Sequence, residues 1–89
     1  MPKMVITHSV VDVERWLKGK SERAEAIGAM GGTNVVDHVA EDGSNTVAIS
    51  ADMEDAASVV ATLASPPAEM AAVMESHGVL PPVTAFVAR

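Results

Sequence analysis

The side chains best suited to acid–base chemistry in this chain of 89 residues are its three histidines. His8 alternates with Met4 and Ile6 along a segment rich in β-branched residues. A buried imidazole at the end of such a segment can act as a general base near neutral pH. It can also anchor the following turn by hydrogen bonding to the backbone. We take His8 as the candidate catalytic residue and keep the structural role as its alternative.

The other two histidines lie far from His8 in the sequence. His77 precedes Gly78 at the end of a predicted helix, where it can face a ligand or, when protonated, interact with the helix C-terminus. His38 follows Asp37 in a predicted strand, and we expect it at the surface. No two histidines have metal-ligand spacing, and the chain contains no cysteine. We therefore predict neither a metal site nor a cofactor.

The remaining candidates are large apolar side chains that suit a pocket wall. Trp16 is the only tryptophan, and helical spacing places it on one predicted inward stripe with Val13 and Leu17. Methionines on the second helix fit core packing or an adaptable apolar pocket. The predicted ligand-binding residues are Trp16, Met74, His77 and Phe86.

Six elements must position these side chains. Residues 4–10, 33–40, 46–51 and 79–87 are predicted as strands, and residues 13–27 and 56–74 show helical periodicity. We predict Asp12 as the N-cap of the first helix, a local weakness or kink at Gly19, and a restart of the second helix capped by Ser65 with Pro66 at its first position. The order strand, helix, strand, strand, helix, strand predicts one ferredoxin-like α+β domain over residues 1–89.

The faces of the predicted sheet suggest a partner. Residues 4–10, 46–51 and 83–88 carry no Lys, Arg, Asp or Glu, although a solvated sheet face normally shows charges at alternate positions. Two helices cover one face, and a domain this short buries little of its own surface. We expect the second face to form a homodimer; an exposed face of Thr, Ser and Ala, or a cavity, is the alternative.

Charge and hydropathy narrow the function classes. Six Lys and Arg against twelve Asp and Glu give a formal net charge of −6, which disfavours nucleic acid as a partner. No segment has the apolar length of a membrane span or the features of a signal peptide. The expected location is cytoplasmic, with no membrane partner.

Short motifs at both ends of the chain resemble a known family. The segment from His8 to Trp16 is similar to the His-x-Val-x-Asp-x-x-x-Trp start of small proteins of the dimeric α+β barrel superfamily, relatives of the antibiotic-biosynthesis monooxygenases. Ser65-Pro66, Met74-Glu75 and Gly78-Val79 resemble that group's second half. The resemblance implies a homodimer whose two sheets pack as a barrel, with any ligand between the sheet and helices of each subunit.

The chain also departs from these relatives. Lys20-Ser21 stands where they often carry Phe-Asp, and Trp16 lies on the first helix, unlike the pocket tryptophan of haem-degrading members. We therefore do not expect haem. The resemblance implies an apolar or aromatic metabolite and leaves a cofactor-independent oxygenase, cyclase or isomerase open. The alternative is a non-enzymatic module that binds a ligand or a protein.

Overall fold

The computed structural model describes residues 3–88, which form four strands and four helical segments. The strands are β1 (Lys3–Val10), β2 (Thr33–Val39), β3 (Thr46–Asp52) and β4 (Val79–Val87). They build an antiparallel sheet in the order β2-β3-β1-β4. The helices are α1 (Val13–Lys18), α2 (Lys20–Ala29), α3 (Ala56–Ala64) and α4 (Ala68–Ser76). This arrangement confirms the predicted ferredoxin-like α+β fold.

Each predicted helix is broken into two segments. Gly19 separates α1 from α2, at the position of the predicted kink, and Asp12 caps α1 by accepting a hydrogen bond from the Glu14 amide at 2.9 Å. The predicted break in the second helix at Ser65-Pro66 is confirmed, but the predicted restart capped by Ser65 is wrong. Ser65 instead ends α3, and α4 begins at Ala68 because Pro67 holds an extended backbone before it.

The helices pack on the sheet face that carries the even-numbered residues of β1. Trp16 from α1, Ile27 from α2 and Val59 from α3 are buried against this inner face. Leu17, predicted to point inward beside Trp16, is 39% exposed, because only one of two successive helical residues can face the sheet here. The buried strand and loop residues of the core are Met4, Ile6, Val10, Val47, Ile49, Ala51 and Met53.

The opposite, outer face of the sheet has no helix over it. Residues that alternate with the core, such as Thr7, Ser50 and Thr84, lie on this face. β1 and β3 each extend one residue further than predicted, so one end of the face carries an ion pair, with Lys3 Nζ 3.0 Å from Asp52 Oδ1. Apart from this pair, the outer positions of β1, β3 and β4 within residues 3–88 carry no Asp, Glu, Lys or Arg.

No single helix within residues 3–88 has the length and hydropathy needed to cross a membrane. The α3 and α4 segments reach that length and hydropathy only together, and a bend of 78° separates them.

Candidate functional site

A cavity of about 380 Å³ lies between the inner face of the sheet and the helices. Its wall is mostly apolar, and its polar contributors are His8, Arg23, Glu69 and His77. The apolar contributors come from both sheet and helices. They are Ile6, Ala26, Ile27, Ala29, Met30, Ile49, Leu63, Met70, Val73, Met74, Val79 and Val83.

His8 reaches the cavity from the inner face of β1 and is only 7% exposed. Its Nδ1 lies 3.1 Å from the backbone oxygen of Ser9. Because a carbonyl oxygen can only accept a hydrogen bond, Nδ1 carries the hydrogen and Nε2 keeps its lone pair. Burial lowers the pKa of His8, and the positive charge of Arg23 lowers it further, while the bond to Ser9 opposes them. The imidazole is therefore neutral near pH 7, and its Nε2 offers a lone pair.

The strand beside His8 is irregular. β1 and β4 pair Thr7 with Thr84 and Ser9 with Leu80, so β4 has extra residues opposite His8. The extra residues include Pro81 and Pro82, which have no amide hydrogen to donate to a neighbouring strand. Irregular pairing of this kind is common beside binding sites, where it redirects side chains.

Arg23, on α2, is the most highly connected polar residue of the cavity wall. Its Nε and Nη2 donate to the two carboxylate oxygens of Asp37 at 3.3 and 3.0 Å. The Asp37 side chain is 3% exposed, so this ion pair is buried. Nη1 donates to the backbone oxygen of Trp16 at 2.9 Å. A forked, two-point pairing of this kind satisfies both charges within the protein interior.

Trp16 lies in the core behind the cavity and is not among the residues that line it. The guanidinium carbon of Arg23 lies 3.9 Å from the centre of the indole, which is cation–π distance. The imidazole of His8 meets the indole edge-to-face, with ring centres 6.0 Å apart. Trp16 therefore holds Arg23 and His8 in place, although it does not face the cavity itself.

His77 ends α4 and is buried against Arg23. Its Nδ1 lies 3.3 Å from Arg23 Nη1, and since a guanidinium only donates, Nδ1 accepts and Nε2 carries the hydrogen. Nε2 lies 3.5 Å from Glu22 Oε2 but makes no hydrogen bond among the described residues. Gly19 permits this packing, because a Cβ at that position would lie 2.5 Å from His77 Nε2. The lack of a side chain at Gly19 thus makes room for the imidazole.

The predicted site residues fall into two groups. His8, His77 and Met74 line the cavity together, and Trp16 supports it from behind. Phe86 does not reach this cavity: it lies on the outer face, opposite Val5, and is 55% exposed. Successive side chains of a strand point to opposite faces of the sheet. Phe86 alternates with the inner residues of β4 and therefore points to the outer face.

The three histidines do not converge on one site within residues 3–88. His38 is exposed on the outer side of β2, where its Nε2 lies 2.9 Å from Ser50 Oγ, so it cannot converge with His8 and His77. Within residues 3–88, no three His, Asp or Glu side chains are arranged to hold a metal ion.

Sequence reasoning missed Arg23 and Asp37. A charged residue is rarely buried, so neither side chain stands out in the sequence. The spacing did indicate that Arg23 faces inward, because it falls seven residues after Trp16 and four before Ile27 on the same helical stripe. Asp37 likewise occupies an inward position of β2, between exposed Val36 and His38.

Comparison with known proteins supports the fold. A crystal structure of an antibiotic biosynthesis monooxygenase superposes with a TM-score of 0.65 at 11% identity, covering 100% of this chain and 97% of the other. A candidate antibiotic biosynthesis monooxygenase from Deinococcus radiodurans gives a TM-score of 0.58 at 17% identity, covering 100% and 93%.

No family model matches the chain, and no curated protein matches it in sequence. At these identities the two structures establish a shared fold. The predicted resemblance to antibiotic-biosynthesis-monooxygenase proteins is therefore confirmed as a structural similarity.

The buried ion pair gives a first prediction. Replacing Asp37 with Ala leaves the Arg23 guanidinium buried without its carboxylate, and we expect the free energy of unfolding to fall by about 3–5 kcal/mol. Urea unfolding followed by circular dichroism measures the loss. The control is Glu41→Ala in the exposed hairpin loop, which should change stability by less than about 0.5 kcal/mol.

A double variant keeps this prediction testable where Asp37→Ala does not fold. Arg23→Met combined with Asp37→Leu removes both charges together, and we expect it to recover much of the lost stability. Equal stability of wild type and Asp37→Ala would contradict the assigned role of the pair.

The lowered pKa of His8 gives a second prediction. In the unfolded chain this histidine titrates near its ordinary pKa of 6.5, and in the folded chain it titrates at lower pH. Below pH 6.5 the unfolded state therefore binds more protons, so stability should fall as the pH falls. Urea unfolding of wild type and His8→Gln from pH 7.5 to about 5 isolates the effect. The prediction would be contradicted if the difference in unfolding free energy between wild type and His8→Gln did not change with pH.

Proposed function

We propose that the chain forms a homodimer in which each subunit binds an apolar or aromatic metabolite in the cavity between sheet and helices. The observation that carries this proposal is the cavity itself, whose wall is apolar except at His8, Arg23, Glu69 and His77. Binding sites for small molecules combine these two features: an apolar enclosure and a few convergent polar groups.

The size of the cavity is consistent with this function. Its volume of about 380 Å³ falls at the lower end of the roughly 300–1,000 Å³ range of small-molecule sites. The methionines Met30, Met70 and Met74 contribute flexible thioether chains to the wall. Such side chains adapt to ligands of different outline.

The outer face of the sheet supports the homodimer. Phe86 and Leu80 are exposed there, and their neighbours Val5, Thr7 and Thr84 are uncharged. A second copy of the chain would cover this face with an identical neutral surface, as an isologous dimer requires. The resemblance to the dimeric α+β barrel superfamily implies the same association through the sheets.

A catalytic function is the second candidate, favoured by the state of His8. A neutral imidazole with a free Nε2 on the wall of an apolar cavity is equipped to remove a proton from a bound molecule. Proton removal without a cofactor would suit an oxygenase, cyclase or isomerase. Both structural neighbours are described as antibiotic biosynthesis monooxygenases, which agrees with the first of these.

A binding module without catalysis is the alternative, because the cavity offers few groups that could perform chemistry. Oxygen consumption and product formation in the presence of a bound ligand separate the two functions. Both require the same cavity to be occupied.

Binding to the cavity gives a third prediction. Methylnaphthalene, an apolar aromatic probe small enough for a cavity of about 380 Å³, should bind the wild-type protein in equilibrium dialysis. Val73→Phe places a larger side chain into the cavity and should weaken binding about tenfold or more. Ala72→Phe, on the exposed side of the same helix, is the matched control and should leave the affinity unchanged. If both variants bound methylnaphthalene equally weakly, or if wild type did not bind it, the proposed site would be ruled out.

The homodimer gives a fourth prediction. Wild type should show the mass of two chains in light scattering, and Phe86→Glu should weaken association about a hundredfold, because it places an unpaired charge in the sheet interface. Ala57→Glu adds the same charge to an exposed position of α3 and should leave the dimer intact. A monomeric wild type, or two variants of equal mass, would rule out association through this face.

A further inference from the structure

The polar side chains of the cavity wall indicate which functional group a ligand must bear. We propose that the cavity selects an apolar molecule bearing a hydroxyl group, which donates a hydrogen bond to His8 Nε2 and accepts one from Arg23. This inference rests on the proposed binding function, because it concerns the same cavity. It assigns Arg23, together with His8, as a residue that determines specificity.

The first step is the acceptor. The bond from Nδ1 to the Ser9 oxygen fixes the hydrogen of His8 on Nδ1, at 3.1 Å. Nε2 then carries a lone pair, and it makes no hydrogen bond to any side chain or backbone group of residues 3–88. A ligand that satisfies this nitrogen must supply a hydrogen of its own. Ketones, ethers and hydrocarbons cannot do so.

The second step is the donor. A guanidinium has five N–H groups, and the bonds to Asp37, Trp16 and His77 use four of those of Arg23. The fifth, on Nη2, has no acceptor within the described part of the chain. Since Arg23 contributes to the cavity wall, a ligand oxygen is the natural partner for this group.

The third step distinguishes a hydroxyl from a carboxylate. A carboxylate would bring lone pairs against the lone pair of His8, and Asp37 already balances the charge of Arg23. A hydroxyl offers one hydrogen and two lone pairs on a single oxygen, so it has both the hydrogen that His8 needs and the acceptor that Arg23 needs. Buried polar groups that lose such partners discriminate strongly between otherwise similar ligands.

The experiment compares three probes that share one aromatic body: naphthol, methylnaphthalene and naphthoate. Naphthol and methylnaphthalene are nearly identical in shape, so their difference in affinity isolates the hydroxyl group. Dissociation constants are measured by equilibrium dialysis on the full wild-type chain, at a pH at which naphthol is neutral. The readout is the affinity for naphthol divided by the affinity for methylnaphthalene.

We expect this ratio to fall about tenfold in His8→Leu, which removes the acceptor and keeps an apolar side chain. Met74→Leu is the matched control, because it alters the cavity wall without touching a polar group. It should shift both affinities alike and leave the ratio unchanged.

Each other outcome overturns the inference. Methylnaphthalene binding with a ratio that His8→Leu does not change would refute hydroxyl selection and leave the proposed binding function standing. Naphthoate binding most tightly would replace the hydroxyl site with an anion site at Arg23. Failure of all three probes to bind would refute the binding function itself, and the inference with it.

Discussion

The buried ion pair between Arg23 and Asp37 is the interaction on which the site depends. It connects α2 to the edge strand β2, and the same guanidinium also contacts Trp16 of α1 and His77 at the end of α4. Removing two charges from water costs several kcal/mol per ion, so such a pair persists only where its geometry is good and its other hydrogen bonds are made. Forked pairing, a backbone acceptor and the face of an indole together meet that condition.

The cavity follows from how α4 is held. No residue of α4 is fully buried, so this helix does not press its side chains into the core as α3 does through Val59. Its C-terminal end is fixed instead, because Arg15 donates to the backbone oxygens of Ser76 and Glu75 at 3.0 and 3.1 Å. These bonds satisfy carbonyl groups that a helix end leaves without partners. A helix anchored at its end can stand away from the sheet and leave space beneath it.

Much of the fold was predictable from local patterns. Period-two and helical periodicities gave the strands and helices in their correct order, and Gly19 marked the break in the first helix. The outer-face location of Phe86 was not predictable, because strand parity alone does not tell which face the helices cover. The burial of Arg23 and Asp37 was not predicted, for a related reason. Each looks like a surface residue in its own element, and only the tertiary pairing of α2 with β2 makes their burial possible.

The two uncharged surfaces of the sheet arise from different physical causes. Apart from the Lys3–Asp52 ion pair, the outer-face side chains of β1, β3 and β4 are small, hydroxylated or apolar, and no helix covers them. The polar end of the inner cavity contains a charged group, yet Asp37 balances the charge of Arg23 and burial keeps His8 neutral. Arg23 itself contributes to that neutrality, since its positive charge lowers the pKa of His8. A histidine kept unprotonated in this way suits either proton abstraction or the binding of a neutral donor.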